Sequence, residues 1–333
     1  MLRYRLLSAL ILVSTALLFV ALDAPRPPSG SSTTAASNSS GLSDPSQASV
    51  SESNAECRGC WMVALGAILI FGSAVECVGM CARGPVGSIT APALIGCAGV
   101  MLAASVPVYW PLGGSPYPSD CQLGKLGWPL VAGVLALLGC CAWYIPSYQA
   151  NSGLFLRTIV AGWVSVYFGG CFAFAVALRL TGTSGWGLFL MVGVIAVTKL
   201  ADAGAYFSGR ALGRTKLCPA VSPGKSLEGL IGGVLAAVLA SWLYFSLGAH
   251  YIFPGGSVRA HPLGYVALGV LLTLAGLLGD LLESIFKREM GCKDSGKLLP
   301  GLGGLWDVTD SLLPAMVLAY LVVVAGLIQG PGN

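Results

Sequence analysis

Ten of the chain's 32 Asp, Glu, Lys and Arg residues fall in the 33 positions 279–311, GDLLESIFKREMGCKDSGKLLPGLGGLWDVTDS. The segments before and after are almost purely apolar. Six carboxylates (Asp280, Glu283, Glu289, Asp294, Asp307, Asp310) and four cations (Lys287, Arg288, Lys293, Lys297) surround a breaker run, Pro300-Gly301-Leu302-Gly303-Gly304. Carboxylates suit Mg²⁺, which takes oxygen ligands and is commonly shared with substrate phosphates. Lys and Arg suit the phosphates themselves. Glycines expose backbone N–H groups to an anion. The set points to a phosphate-bearing substrate and a divalent metal. The plain alternative is a solvated loop laced with internal salt bridges.

A second polar island, LADAGAYFSGRALGRTKLCPAVSPGKSLEG at 200–229, holds six more charges, so half of all formal charge lies in under a fifth of the length. Charge beside a bilayer is costly unless paired, solvated or ligand-bound. The islands must therefore be placed by apolar elements that bring their ends together. Asp280 ends one apolar run, and Asp307 and Asp310 open the next; antiparallel neighbours would join them. Asp307 and Asp310 share a helix face at i, i+3. Asp280 and Asp307 are the first candidates for metal ligands, Asp310 the next, with Asp202 behind. Each also reads as a helix cap or interfacial carboxylate. Lys287, two turns from Asp280, is placed to hold a phosphate beside the metal. Lys225, in Ser222-Pro223-Gly224-Lys225-Ser226, is a candidate phosphate contact, although the G-x-x-x-x-G-K spacing of a P-loop is absent.

These residues form a pattern. Ser284, Lys287-Arg288, Lys293-Asp294-Ser295-Gly296, Pro300-Gly301-x-Gly303-Gly304 and Asp307-x-x-Asp310 resemble the signature of phosphatidate cytidylyltransferases (CDP-diacylglycerol synthases). Asp202-Ala203-Gly204-Ala205-Tyr206 and Ser222-Pro223-Gly224-Lys225-Ser226 resemble the family's upstream motifs, in the same order, and the MLRYRLLSA start is similar to theirs. Two positions depart from the pattern: Leu302 stands where histidine is usual, and Val308 where arginine is usual. The resemblance implies transfer of the cytidylyl group of CTP to phosphatidate, giving CDP-diacylglycerol and pyrophosphate. It implies Asp280, Lys287 and Asp307 as catalytic residues. It implies substrate contacts from Ser222, Lys225, Ser284, Arg288, Lys293 and Asp294, and Mg²⁺ at Asp280, Asp307 and Asp310, with a second cation as a further expectation. CTP, phosphatidate and membrane lipids are the implied partners. A homodimer is the oligomer to test for, and nucleic acid is not expected.

Composition sets the class independently. At 333 residues, 55% hydrophobic, 10% charged and mean hydropathy +0.79, the chain departs from soluble domains, which carry about 25% charged residues. The expected fold is all-α, a polytopic membrane helix bundle of about nine transmembrane helices. The apolar runs lie near 6–22, 61–82, 88–110, 127–145, 157–178, 185–201, 230–248, 263–282 and 311–329. Each approaches the ~20 residues a helix needs to cross the hydrocarbon. Pro92 and Pro107 make the 88–110 run a candidate for partial re-entry. Run 6–22, behind Arg3 and Arg5, fits a signal peptide or a retained first helix, and the resemblance favours retention. Residues 23–56, rich in Ser, Thr and Pro, read as a disordered linker. Residues 57–333 read as the membrane-embedded bundle, with polar segments 202–229 and 283–310. With the N-terminus inside, 13 Lys and Arg residues fall on the cytoplasmic side and five on the other. That places both islands on the cytoplasmic face, and the resemblance implies a bacterial inner membrane.

The remaining features carry less. Cys77, Cys97, Cys140, Cys141 and Cys171 sit in apolar runs and read as buried small hydrophobes. Cys57-x-x-Cys60 lacks the further ligands a metal site needs. His250 and His261 fall on the face opposite the islands. Glu76, inside the second span, reads as functional or as a hydrogen-bonded structural carboxylate. The competing functions are a CTP-dependent polyprenol or phytol kinase, whose alcohol acceptor would want a base, and a transporter, which would show mid-span charges and inverted repeats.

Overall fold

A computed structural model describes residues 2–24, 59–118, 120–149, 152–253, 259–260, 262–296, 298–299 and 303–330. The linker from 25 onward, Cys57, His261, Lys297, Pro300, Gly301 and Leu302 lie outside the described residues.

Long apolar helices dominate because only a helix satisfies its own backbone polar groups in hydrocarbon. After α1 (Leu2–Asp23) come α2 (Cys60–Arg83), α3 (Thr90–Tyr109), α4 (Gly124–Tyr144), α5 (Leu154–Arg179) and α6 (Ser184–Leu212). Then follow α7 (Leu227–Trp242), which continues through a π-helical turn at Leu243–Gly248 into α8 (Ala249–Ile252), and α9 (Pro262–Glu289). The short α10 (Trp306–Thr309) leads into α11 (Leu312–Val324). Among the described residues, eight helical stretches are long and apolar enough to cross a membrane, at mean hydropathy 1.7 to 2.0, and α1 is a further apolar helix. The protein is an all-α polytopic membrane bundle, as its composition implies.

Several boundaries differ from the sequence reading. Run 88–110 is one continuous helix rather than a re-entrant segment: Pro92 sits in its first turn, where a missing N–H is tolerated, and beyond Pro107 the chain tightens into a 3₁₀ turn at Trp110–Gly113. Helix α6 runs eleven residues past the expected end at 201, so Asp202 is helical rather than in a loop; Arg210 lies in its last turn, where a cation complements the helix dipole. The last span begins at Trp306, not 311.

Two apolar cores share α5. One gathers Cys77, Cys81, Ile89, Cys97, Phe168 and Phe172 from α2, α3 and α5. The other gathers Leu190, Val197, Phe245, Leu268, Leu272 and Met316 from α6, the π-helical turn after α7, α9 and α11. Cys77, Cys97, Cys140 and Cys171 are buried as expected; Cys141 is exposed, because α4 lies at the periphery of the bundle. Among the described residues there are also two small antiparallel ribbons. β1 (Lys216–Cys218) pairs with β2 (Ser222–Ser226) between α6 and α7, and β3 (Arg259–Ala260) with β4 (Ile328–Gln329) at the other end. At that other end Arg179 Nε and Asp23 Oδ2 form a buried ion pair at 2.6 Å, and the rings of Phe19 and Trp61 meet edge to face.

Candidate active site

Four segments end together at one end of the bundle: the C-terminal halves of α6 and α9, the start of α7 with its ribbon, and the turn from α10 into α11. Each brings charge. Asp280, Glu283 and Lys287 recur at i, i+3 and i+7 on α9, which puts them on one face. Asp307, Asp310 and Ser311 come from the α10–α11 entrance, Lys199 and Asp202 from α6, and Ser222 and Lys225 from β2. All of these line one cleft of about 540 Å³. Gly279 permits the close fit of α9 to the α10–α11 turn, since a Cβ there would overlap the Asp310 carbonyl oxygen.

The cleft is ordered by direct contacts. Lys225 Nζ lies 2.7 Å from Asp280 Oδ2, which ties the ribbon to α9. Lys287 Nζ lies 2.8 Å from Asp307 Oδ1 and 3.3 Å from Glu283 Oε1. Asp307 Oδ2 accepts from Ser295 N (3.2 Å), Ser295 Oγ (2.8 Å) and Gly304 N (2.7 Å). Lys199 Nζ donates to the Val308 carbonyl (3.0 Å) and Ser311 Oγ (2.9 Å), and lies 3.4 Å from Asp202 Oδ2. Ser311 Oγ in turn donates to Asp202 Oδ2 at 3.1 Å. Ser226 caps α7 by accepting from Gly229 N at 3.1 Å. Every polar segment is thereby fixed to its neighbour through a charge-assisted contact, the stronger kind of hydrogen bond.

The charges do not cancel. Among the described residues, five carboxylates (Asp202, Asp280, Glu283, Asp307, Asp310) against three lysines (Lys199, Lys225, Lys287) leave the lining a formal −2. Oxygen atoms of Asp280, Glu283 and Asp310 lie within 4.8 Å of one another, and Glu283 is 1% exposed. Like charges this close, away from water, call for a counter-cation or a proton. An all-oxygen, surplus-negative donor set fits Mg²⁺.

Of the residues singled out in the sequence, the fold gathers Ser222, Lys225, Asp280, Lys287, Asp307 and Asp310 into the cleft, with Asp202 beside them. Asp307 lies against Lys287 rather than in the three-carboxylate group. Ser284 donates to Asp280 Oδ1 at 3.4 Å but does not line the cleft. Arg288, Lys293 and Asp294 are exposed and outside the lining. Arg210, Arg214 and Lys216 are exposed near the ribbon, and Arg210 donates to Tyr206 Oη at 3.2 Å. His250, on α8, sits at the far end of the span that starts at the ribbon. Sequence reasoning missed Glu283, Lys199 and Ser311 as site residues. Glu283 was legible from its place between Asp280 and Lys287 on one helical stripe, and Lys199 from being a cation inside an apolar helix.

A profile of the cytidylyltransferase family matches residues 56–325, which includes every residue of the cleft. The chain belongs to the cytidylyltransferase family. That makes it a nucleotide-using transferase of the membrane. Among curated relatives, the phosphatidate cytidylyltransferase of Brucella suis is 36% identical over 209 residues, 58% of this chain and 70% of the relative. That of Haemophilus influenzae is 45% identical over 130 residues, 39% of this chain and 44% of the relative. That of Bacillus subtilis is 36% identical over 162 residues, 48% of this chain and 55% of the relative. The matches thus span from under half to about two thirds of these relatives' lengths.

Proposed function

We propose that the chain transfers the cytidylyl group of CTP to phosphatidate, giving CDP-diacylglycerol and pyrophosphate. The observation that carries the reading is the cleft in which both polar islands meet, with lysines for phosphates and surplus carboxylates for a cation, in a family several of whose curated relatives bear that activity in their names. A phosphate oxygen of the lipid bonds to the α-phosphorus of CTP while the bond from that phosphorus to the β-phosphate bridging oxygen breaks. The nucleophile is already anionic, so the step wants charge screening and in-line positioning more than a base.

Lys225 and Lys287 are the phosphate-holding cations in this reading, each kept in place by a carboxylate partner: Asp280 for the first, Asp307 and Glu283 for the second. Lys199 ties Asp202 to the α10–α11 turn and fixes the wall opposite. Asp280, Glu283 and Asp310 would hold Mg²⁺, which when bound supplies charge neutralisation for triphosphate and leaving group. Asp307, held against Lys287, would join as a further ligand. Ser222 lies within the cleft as a substrate contact, and Ser284, Arg288, Lys293 and Asp294 act from its rim. The cleft faces the cytoplasm of a bacterial cell membrane, in keeping with the Lys and Arg distribution.

The test is pyrophosphate release by the purified chain in liposomes. Release that requires CTP, phosphatidate and Mg²⁺ together supports the reading. Release without phosphatidate, or none with all three present, rejects it.

A further inference from the structure

Glu76 lies outside the cleft lining, on α2, inside a membrane span. Its carboxylate nevertheless reaches the loop that carries the site. Glu76 Oε2 accepts from Ser295 Oγ at 3.1 Å and from Trp306 N at 3.0 Å. The same Ser295 hydroxyl lies 2.8 Å from Asp307 Oδ2, so one serine joins the two carboxylates. Two glycines mark how tightly the loop closes over Glu76. A Cβ at Gly296 would overlap Glu76 Oε1, and one at Gly304 would overlap Glu76 Oε2 and Ser295 Oγ. One turn back on the same face of α2, the Ser73 and Thr309 hydroxyls lie 2.8 Å apart in the interior. Trp306, fully buried, packs its ring on Phe168 and Phe286.

We propose that Glu76 is a positioning residue: it clamps Ser295 and Trp306 together so that Asp307 presents Lys287 to the cleft. The inference rests on the proposed reaction and adds to it a residue from a helix that carries neither polar island. The physical logic is one of registration. Asp307 holds Lys287 through Oδ1 only while Ser295 and Gly304 pin Oδ2. Ser295 and Trp306, on either side of the glycine run, are pinned in turn by one Glu76 oxygen. An intramembrane carboxylate is costly to keep, and here one of its oxygens accepts from both Ser295 Oγ and Trp306 N, on either side of the glycine run. Misplacing a catalytic group by about 1 Å costs on the order of 100-fold in rate.

The test compares wild type, Glu76→Ala, Glu76→Gln and Ser295→Ala, full-length, in phosphatidate-containing liposomes with CTP and Mg²⁺. Glu76→Ala and Ser295→Ala should lower kcat by about 30- to 100-fold with KM for CTP within about threefold, since the cleft's own lysines and carboxylates are untouched. In Glu76→Gln the amide oxygen can take the place of Oε2 and the amino group that of Oε1, which has no hydrogen-bond partner among the described residues, so kcat should stay within about fivefold. Amide exchange at Ser295, Gly304 and Trp306 should accelerate in Glu76→Ala and not in Glu76→Gln. Wild-type kcat in Glu76→Ala, or a loss confined to KM, overturns the proposal; so does a Glu76→Gln enzyme as slow as Glu76→Ala with its amides still protected. Where Glu76→Ala does not insert, kcat and amide exchange in Ser295→Ala make the same decision. Exchange needs no turnover. An inactive wild type whose loop loosens in Glu76→Ala would therefore reject the reaction while supporting the clamp.

Discussion

The two ends of the bundle each bury charge, and they use it differently. At the end bearing β3 and β4, Arg179 and Asp23 meet at 2.6 Å with side chains 1% and 2% exposed, and neither lines the cleft. At the other end, five carboxylates and three lysines surround about 540 Å³ of accessible space and leave a surplus of negative charge. The first arrangement joins α1 to α5 and is closed. The second is open, over-supplied with one sign and built from four separate segments. What separates the proposed site from the other end is therefore not burial of charge but unbalanced charge around accessible space.

That contrast can be broken by substitution. The largest effect is expected from Asp280→Asn, which keeps shape but removes one of the three clustered carboxylates. Activity should fall by about 100- to 1000-fold with insertion unchanged, as measured by CDP-diacylglycerol formation at equal protein in the membrane. Near-normal turnover would remove Asp280 from the proposed metal-holding group. Lys225→Ala should come next, with kcat/KM reduced by about 10- to 100-fold for loss of a charged phosphate contact; a change under twofold would place Lys225 in a purely structural pair with Asp280.

At the other end the order of effects reverses. Asp23→Asn should cost about 1.5–3 kcal/mol of stability, seen as a lower unfolding temperature in detergent, while kcat of the folded protein stays within about twofold. A fall in kcat without a fall in stability would join the two ends into one functional unit and break the comparison. The smallest effect is expected from Arg210→Ala, Arg214→Ala and Lys216→Ala combined. These exposed cations near the cleft should change turnover by less than about threefold, and the change should shrink as salt rises, because exposed charge is screened. A salt-independent loss would move them into the site.

Much of this was readable along the chain. Helical spans follow from unbroken apolar runs of sufficient length, because hydrocarbon admits a single chain segment only as a helix. Asp280, Lys287, Asp307 and Asp310 were legible because charge is scarce in such a chain and they cluster. Less legible was where helices end in polar sequence. Residues 202–212 continue α6 although Gly204 and Gly209 lower helix propensity there, because both glycines let α6 pack closely on α7 and its cap Ser226, yet hydropathy falls at Asp202 and suggests a loop. The exposure of Cys141 was hidden for a related reason: an apolar run has the same composition whether it faces lipid or the bundle core.

By itself, then, the sequence determined the class of protein, the number and extent of most spans, and which residues had chemistry to offer. Those properties depend on local composition and spacing, which a single segment carries alone. Only the tertiary structure decided which offers meet. Glu283 and Lys199 enter the cleft while Arg288, Lys293 and Asp294 stay outside, and Glu76 reaches Ser295 and Trp306 across more than 200 residues of chain. Contacts at such separation are set by how helices pack and rotate against one another, and that rotation is fixed by interlocking shapes, such as Gly279 against the Asp310 backbone, that no one segment contains.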